Sequence, residues 1–359
     1  MSQDIYTRLA KRLDTIPNGF PKTKSGVELK LLAKMFTAGE AELACVMRLT
    51  PEAPEAIAQR AGRDLTSTKS LLMTMFGEGL IRGNAAEGGL RFGLMPFVVG
   101  IYEFQLGRID AEEARLVEEY GETIAKEIMS VEPALHLVIP VEKSIPFEVQ
   151  VFPYEQASQL LENSKSFGVR KCICRVQKSL IGKPCTHSTE TCLVFAPVEG
   201  AFRMAPDIRV ITKEEAFRIL RESEEEGLVH SSANVREGHM YICNCCSCCC
   251  AFMQGIRRFG IENAFAKSDF FAEVNPELCT GCESCTGRCQ FGALAVTDGV
   301  SRVDRRRCAG CGLCVIACPS QALRLVRKLE GERHIPPKDQ KEWMVRRSKN
   351  RGVPINELL

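Results

Sequence analysis

The sequence carries no excess charge of either sign: 47 Lys and Arg face 45 Asp and Glu, leaving a net +2 over 359 residues. Such a balance predicts neither a nucleic-acid binder nor an acidic-tailed chain. No apolar run reaches the roughly 18 residues of a membrane span, and no apolar stretch follows Met1 as a secretory leader would require. Neither G-x-G-x-x-G nor a P-loop occurs, nor the nucleophile elbow of a serine hydrolase. The chain is therefore not expected to bind NAD or ATP itself, although a flavin site needs no such motif.

What is present in excess is cysteine, 19 residues in an otherwise ordinary composition of 45% hydrophobic and 26% charged residues. Without export the thiols are expected to stay reduced, so this many point to metal rather than to disulfides. The expected compartment is the cytoplasm, and the oxygen sensitivity of exposed metal clusters favours an anaerobic or microaerobic cell.

Eight of the cysteines fall into two runs. Cys279, Cys282, Cys285 and Cys289 form one C-x2-C-x2-C-x3-C pattern, and Cys308, Cys311, Cys314 and Cys318 form the second. The short gaps let three thiolates converge on three irons of one cube, while the fourth iron takes its ligand from elsewhere. Structural zinc also uses C-x2-C, but as two separated pairs rather than uninterrupted three-cysteine runs. Residues 270–327 resemble the two-cluster bacterial ferredoxins. The resemblance implies one [4Fe–4S] cluster on Cys279, Cys282, Cys285 and Cys318, and a second on Cys308, Cys311, Cys314 and Cys289. Pro319 keeps the proline that follows the last cysteine, whereas Gln290 stands there in the first run. Between the runs, Ala293–Val296 and Ser301–Val303 flank Asp298-Gly299, a hairpin signal. Ala322–Val326 can supply a matching strand.

Upstream, residues 1–24 are mixed polar sequence with Pro17, Gly19 and Pro21, expected as a flexible lead-in. Ser25–Glu28 and Thr37–Glu40 are capping-box patterns ahead of apolar residues at helical spacing. Further helices are predicted over about Pro54–Ala61, stopping at Gly62, and from Thr66 through Phe76. Two short strands, Leu80–Arg82 and Leu90–Phe92, enclose a Gly-rich tip. Helices followed by a hairpin resemble a winged helix-turn-helix domain, which implies either DNA binding through the Thr66–Phe76 helix or protein docking. Its exposed start, Thr66, Ser67, Thr68, Lys69 and Ser70, holds one basic residue, a thin surface for a phosphate backbone. Docking or structural support is the preferred reading. Cys45 is expected in the core. Asp110–Glu113 caps a linking helix with one apolar stripe from Leu116 to Ile128. Leu135–Ile139 and Phe147–Phe152 read as strands, with His136 as an ordinary core or surface histidine.

The remaining cysteines lie between 172 and 250. They are Cys172, Cys174, Cys185, Cys192, Cys243, Cys245, Cys246, Cys248, Cys249 and Cys250, with His187 among them. Cys172 and Cys174 are expected to face one way on an extended segment. The six cysteines of Cys243–Cys250 cannot all point at one metal, so some are expected to serve one cluster and the others a second. Thr212–Glu215 opens a capped helix ending at Gly227, and Val229–His230 and His239–Ile242 can return the chain as strands. The readings are one or two further iron–sulfur clusters with ligands from both segments or, as the alternative, thiols that are structural or form a zinc site with His187. The C-x-C-R and C-N-C-C-x-C-C-C segments ahead of a two-cluster domain are similar to a family of anaerobic iron–sulfur proteins, which implies a redox subunit that relays electrons. Adjacent cysteines also occur at non-cubane catalytic clusters, but the diagnostic C-C-G is absent. Arg305, Arg306 and Arg307 abut the second run, where they are expected to raise its potential, to dock an acidic partner, or to form a solvated face.

The expected fold class is α+β and multidomain: a winged-helix-like domain over 1–108 and a linking helix over 109–134, then a cysteine-rich α/β cluster-binding domain over 135–268. The two-cluster ferredoxin domain follows over 269–328. A Lys- and Arg-rich extension over 329–359, without an apolar period, is expected on the surface against a partner subunit. The expected function is electron transfer through several [4Fe–4S] clusters between partner redox proteins, as a subunit of an anaerobic oxidoreductase complex rather than a stand-alone enzyme, with no catalytic residue assigned. The alternatives are an iron–sulfur-sensing DNA-binding regulator and a reductase with a substrate-binding cluster in the middle domain.

Overall fold

The computed structural model describes residues 2–203, 205 and 207–354, with the backbone alone for residues 2 and 3; the end of the expected extension, 355–359, lies outside the described residues. Two compact units are present. One comprises Met1–Ile128, Gln177–Lys183 and Met344–Leu359, the other Met129–Val176 and Pro184–Trp343.

The first unit opens not on a flexible lead-in but on helix α1, Ser2–Asp14. Ile5, Leu9 and Leu13, four residues apart, are buried along one face. Helix α2, Val27–Met35, starts after Gly26 in the left-handed region, and Ser25 does not cap it. Thr23 Oγ1 takes that role, accepting from the Val27 N–H at 3.2 Å and donating to Glu28. Helix α3, Ala38–Val46, has the capping box of Thr37 and Glu40. Helices α4, Pro54–Ala61, and α5, Leu65–Gly77, follow, then strands β1, Ile81–Ala86, and β2, Gly89–Leu94, an antiparallel hairpin. Glu52 bridges to Phe92 between α3 and α4 in the chain, adding one rung beside the hairpin. Helix α6, Ala111–Thr123, is capped by Asp110, which accepts from the N–H groups of Glu112 and Glu113. Its Tyr120 packs 5.1 Å from the Phe20 ring and donates to Pro21 O at 2.8 Å. Within residues 344–354, Arg347 is fully buried, donating to Pro17 O and Ile128 O. The expected surface tail is thus in part a helix, Gln340–Arg351.

In the second unit β3 (His136–Val138) leads to α7 (Ala157–Glu162), β4 (Ser166–Lys171), the start of α8 (Ile173–Leu180, of which residues from Gln177 on are counted with the first unit), β5 (Glu190–Ala196) and β6 (Arg209–Ile211). Helix α9 (Lys213–Glu226), strands β7 (Val229–Ala233) and β8 (Tyr241–Cys245), and helix α10 (Ala251–Phe259) complete this part. The six strands form one sheet in the order β3-β7-β8-β5-β4-β6, antiparallel at every step. Phe167, Val169, Leu193, Phe195 and Ile242 pack on one face against Ala216, Ile219 and Leu220 of α9 and Leu161 of α7. No strand forms over Phe147–Phe152. Pro146 O accepts from Val149 N–H in a turn, Phe147 is fully exposed, and Val149 and Val151 pack as irregular chain on the next core.

That core belongs to β9 (Phe270–Val274), α11 (Ser284–Arg288), β10 (Leu294–Thr297), β11 (Val300–Val303), α12 (Leu313–Ile316) and β12 (Leu323–Arg327). Strands β10 and β11 turn through Asp298 and Gly299, both at positive φ, as the Asp-Gly pair predicts. Strand β12 pairs with β9. Mixed helix and sheet content, several small sheets and a ferredoxin-like arrangement at the C-terminal end together make an α+β chain.

Candidate metal centres

The two cysteine runs interlock. One cavity is lined by Cys279, Cys282, Cys285 and Cys318, the other by Cys308, Cys311, Cys314 and Cys289. Each thus takes three thiols from one run and one from the other. Their walls are apolar and include Leu323 and Val296 in one and Phe291 and Leu325 in the other. Backbone N–H groups point at the sulfurs: Ser301 to Cys279 at 3.4 Å, Ala322 to Cys318 at 3.3 Å, Ala293 to Cys289 at 3.2 Å and Ala272 to Cys308 at 3.4 Å. Donors aimed at sulfur favour thiolate and set the potential of a bound cluster. In each run the loop must pass a left-handed glycine. A Cβ on Gly281 would lie 2.6 Å from Gly299 O, and one on Gly310 2.2 Å from Phe270 O. An all-thiolate donor set, apolar walls and N–H groups aimed at sulfur fit a [4Fe–4S] cube in each cavity.

The ten middle cysteines divide into six and four. Six form a closed ring of neighbours: Cys172, Cys174, Cys250, Cys245, Cys243, Cys192 and back to Cys172. Sheet alternation explains half of it. Ile242 faces the α7–α9 core, so Cys243 and Cys245 point to the other face. Leu193 pairs with Ile242, which sets Cys192 beside Cys243. Cys172 follows β4, Cys250 is the N-cap of α10, and Cys174 sits in the first turn of α8 rather than on an extended segment. Cys172, Cys245 and Cys250 are buried and the other three half-buried. The second set is Cys185, Cys246, Cys248 and Cys249, whose sulfurs all lie within 4.8 Å of one another. His187 is not in it; its Nδ1 lies 3.6 Å from Glu226.

A buried guanidinium lies against both sets. Arg175, 2% exposed, donates from Nη1 to Ser188 O and Thr191 Oγ1 and from Nη2 to Asn244 O, at 2.7 to 2.9 Å. It faces Cys172 and Cys192 of the ring and Cys246 of the four. Behind the ring, His136 is enclosed by Tyr241, Phe252 and Phe265, and burial pushes it down to about 4, so it is a neutral core residue.

The end of the first run is tied to this region. Gln290 accepts from Ser247 N–H and donates to Gly227 O, both at 2.9 Å, and Arg288 donates to Glu224 O and Glu225 O at the end of α9. From the other side Val141 N–H donates to Cys311 O at 2.9 Å. Of the three arginines beside the second run, Arg305 lies 3.8 Å over the Phe271 ring and 3.4 Å from Glu332, and Arg307 lies near Asp304. Arg306 is largely exposed, 3.8 Å from Asp304. Cys45 is half-buried in α3 of the first unit and is not one of the grouped thiols. Arg175, Gln290 and Val141 were not singled out for these contacts by sequence, although the Arg after C-x-C and the Gln in place of proline were visible there.

Comparison with known families finds two matches, both to a 4Fe-4S binding domain, over residues 272–295 and 300–323. The pair means two [4Fe–4S] clusters at the C-terminal end of the chain. No curated protein and no solved structure matches the chain. Among the described residues no helix is long and apolar enough to cross a membrane.

Proposed function

We propose that the chain relays single electrons between partner redox proteins, as a subunit of an anaerobic oxidoreductase complex in a reducing cytoplasm rather than as a stand-alone enzyme. The observation that carries this reading is the pair of interlocked four-thiol cavities, set in one shared apolar core with Cys285, Cys289, Cys308, Cys314 and Cys318. Clusters held there supply the electron transfer; the protein supplies position, potential and docking faces. Cluster one takes Cys279, Cys282, Cys285 and Cys318, and cluster two Cys308, Cys311, Cys314 and Cys289. Cys282 is exposed, which suits exchange with a partner at the first cluster. The second cluster lies beside the middle region through Gln290, Arg288 and Val141, which suits onward transfer to a centre on the six-thiol ring. Those six thiols are soft donors suited to iron–sulfur chemistry. Among the described residues no three ring sulfurs close to within 4.8 Å of one another, so the ring suits a polynuclear centre rather than one ion.

For the N-terminal part we favour a winged-helix-like docking module. Its helix, bridge, helix, helix and hairpin order supports that reading. Thr68 is buried and Lys69 is paired with Glu55 at 2.7 Å, so the start of α5 has no free cation for a phosphate backbone.

Iron and acid-labile sulfide per chain after anaerobic purification test the relay. More than about eight of each, the content of two cubes, is expected. A value of about eight would remove the ring from the relay. A spectral change on adding candidate substrates to the oxidised protein, with no change of redox state, would reveal an open iron site and favour the reductase instead.

A further inference from the structure

The four thiols left outside the ring have a different geometry from every other cysteine set in the chain. Cys185, Cys246, Cys248 and Cys249 are, among the described residues, the one group whose ligand atoms close to within 4.8 Å. Cys248 Sγ and Cys249 Sγ are 3.8 Å apart. In a tetrahedral tetrathiolate with metal–sulfur bonds of about 2.3 Å, the sulfur–sulfur edges are about 3.8 Å. Thiolates on a cube bind separate irons and point outward from its corners, so an iron–iron edge is added to their separation. The eight thiols of the two ferredoxin-like runs are not gathered in this way. The four sulfurs are therefore spaced for one ion, not for a cluster.

We propose that Cys185, Cys246, Cys248 and Cys249 bind a single zinc ion, a structural clip separate from the iron–sulfur centres. The donor set is four thiolates with no oxygen or imidazole, which selects a soft or borderline divalent ion in tetrahedral geometry. Four protein ligands leave no open position, so the ion is structural rather than catalytic. It carries no redox change and takes no part in the relay. Its ligands come from two segments outside helix and strand, Cys185 from the loop between α8 and β5, and the others from the turn after β8.

The surroundings are those of a fixed outer shell. Ser247 N–H is held by Gln290, Ser247 Oγ accepts from Arg257 at 2.9 Å, and Cys248 O accepts from Gln254 at 3.0 Å. Cys246 and Cys249 pack on Leu228. Arg175, which faces Cys246, offsets part of the net negative charge that four thiolates leave on a divalent ion. The turn is bracketed in sequence by Cys245 and Cys250 of the ring. A clip here sets the spacing of those two ring thiols.

Zinc can be measured apart from iron, so this inference and the relay fail separately. Full-length protein purified anaerobically with zinc in the medium is expected to hold one zinc per chain. X-ray absorption at the zinc edge should give a shell of four sulfurs at about 2.3 Å. The Cys248→Ser variant, altered at the exposed ligand, should lose zinc or change that shell to three sulfurs and one lighter atom. The electron paramagnetic resonance of the two reduced cubes should stay as in the wild type. A wild-type zinc shell dominated by nitrogen and oxygen, or zinc below a tenth of an equivalent, overturns the proposal. So does a Cys248→Ser variant that loses iron and sulfide in equal numbers at unchanged zinc. If that variant does not fold, the zinc-edge measurement on the wild-type chain decides alone.

Discussion

Arg175 illustrates how one side chain can be read from sequence as a motif letter yet understood only in place. The Arg of Cys172-Ile-Cys174-Arg175 is buried against two thiol sets with its two terminal nitrogens fully engaged by Ser188, Thr191 and Asn244. Charged residues are almost never fully buried unless paired, so nothing in its spacing announced this. The cysteine runs were legible for the opposite reason: the cube dictates their gaps. Glu113 is a second buried charge. Burial, then the neighbouring Asp110, pushes it up to about 7, and its Oε1 has no partner. Because the folded pKa lies above the ordinary 4.5, the folded chain holds a proton there that the unfolded chain has released. The stability tied to that proton is complete below about pH 4.5 and is lost as pH rises through about 7. Glu113→Gln, which cannot ionise, should be more stable than the wild type at about pH 8 by about 3 kcal/mol. The gap should narrow toward pH 5, as read by urea unfolding of the anaerobic protein. A gap that widens at low pH would reverse the assignment.

Elements were legible where local chemistry decides them. The capping box at Thr37, the side-chain caps at Asp110 and Thr212, the stop at Gly62 and the Asp298-Gly299 hairpin are short-range signals, and all are present. Helix α1 was missed because three apolar residues four apart are diluted by polar ones between them. Strand β9 was missed because Phe270–Val274 shows no apolar–polar alternation although Ser268-Asp269 and Asn275-Pro276 frame it, and the ring because β5, which lies beside β8 in the sheet, is remote from it in sequence. The turns around the cubes carry a test at this scale. Gly310→Ala places a methyl group 2.2 Å from the Phe270 carbonyl at φ +68, and Gly281→Ala one 2.6 Å from Gly299 O at φ +65. Each substitution should lower the iron content by about four per chain, one cube, by elemental analysis; full iron in both would show that the loops yield. Gln290→Pro restores the proline that follows the other run. It should leave both cube signals unchanged while lowering stability by about 1–3 kcal/mol, because Ser247 N–H and Gly227 O each lose a partner. An unaltered melting temperature would mean that those contacts contribute nothing.

At the scale of the whole molecule, sequence reasoning located the iron–sulfur end of the chain but not the shape of its beginning and end. Residues 1–24 and the tail read as polar and therefore as loose, yet Leu9, Phe20, Trp343 and Arg347 are buried. A charged tail conceals a helix when its few apolar residues do the packing and its arginine bonds to backbone carbonyls. The interlocking of the two runs has a consequence for how the protein is made. Residues leave the ribosome in order. On the proposed ligand sets, the ring and the zinc clip have all their thiols once Cys250 has emerged, while neither cube does. Cluster two is complete only with Cys314, cluster one only with Cys318, four residues later in a chain of 359. Iron delivered to the first run alone would meet three thiols and a vacant corner. The ring and the clip are therefore buildable before either cube, and the two cubes become buildable almost together.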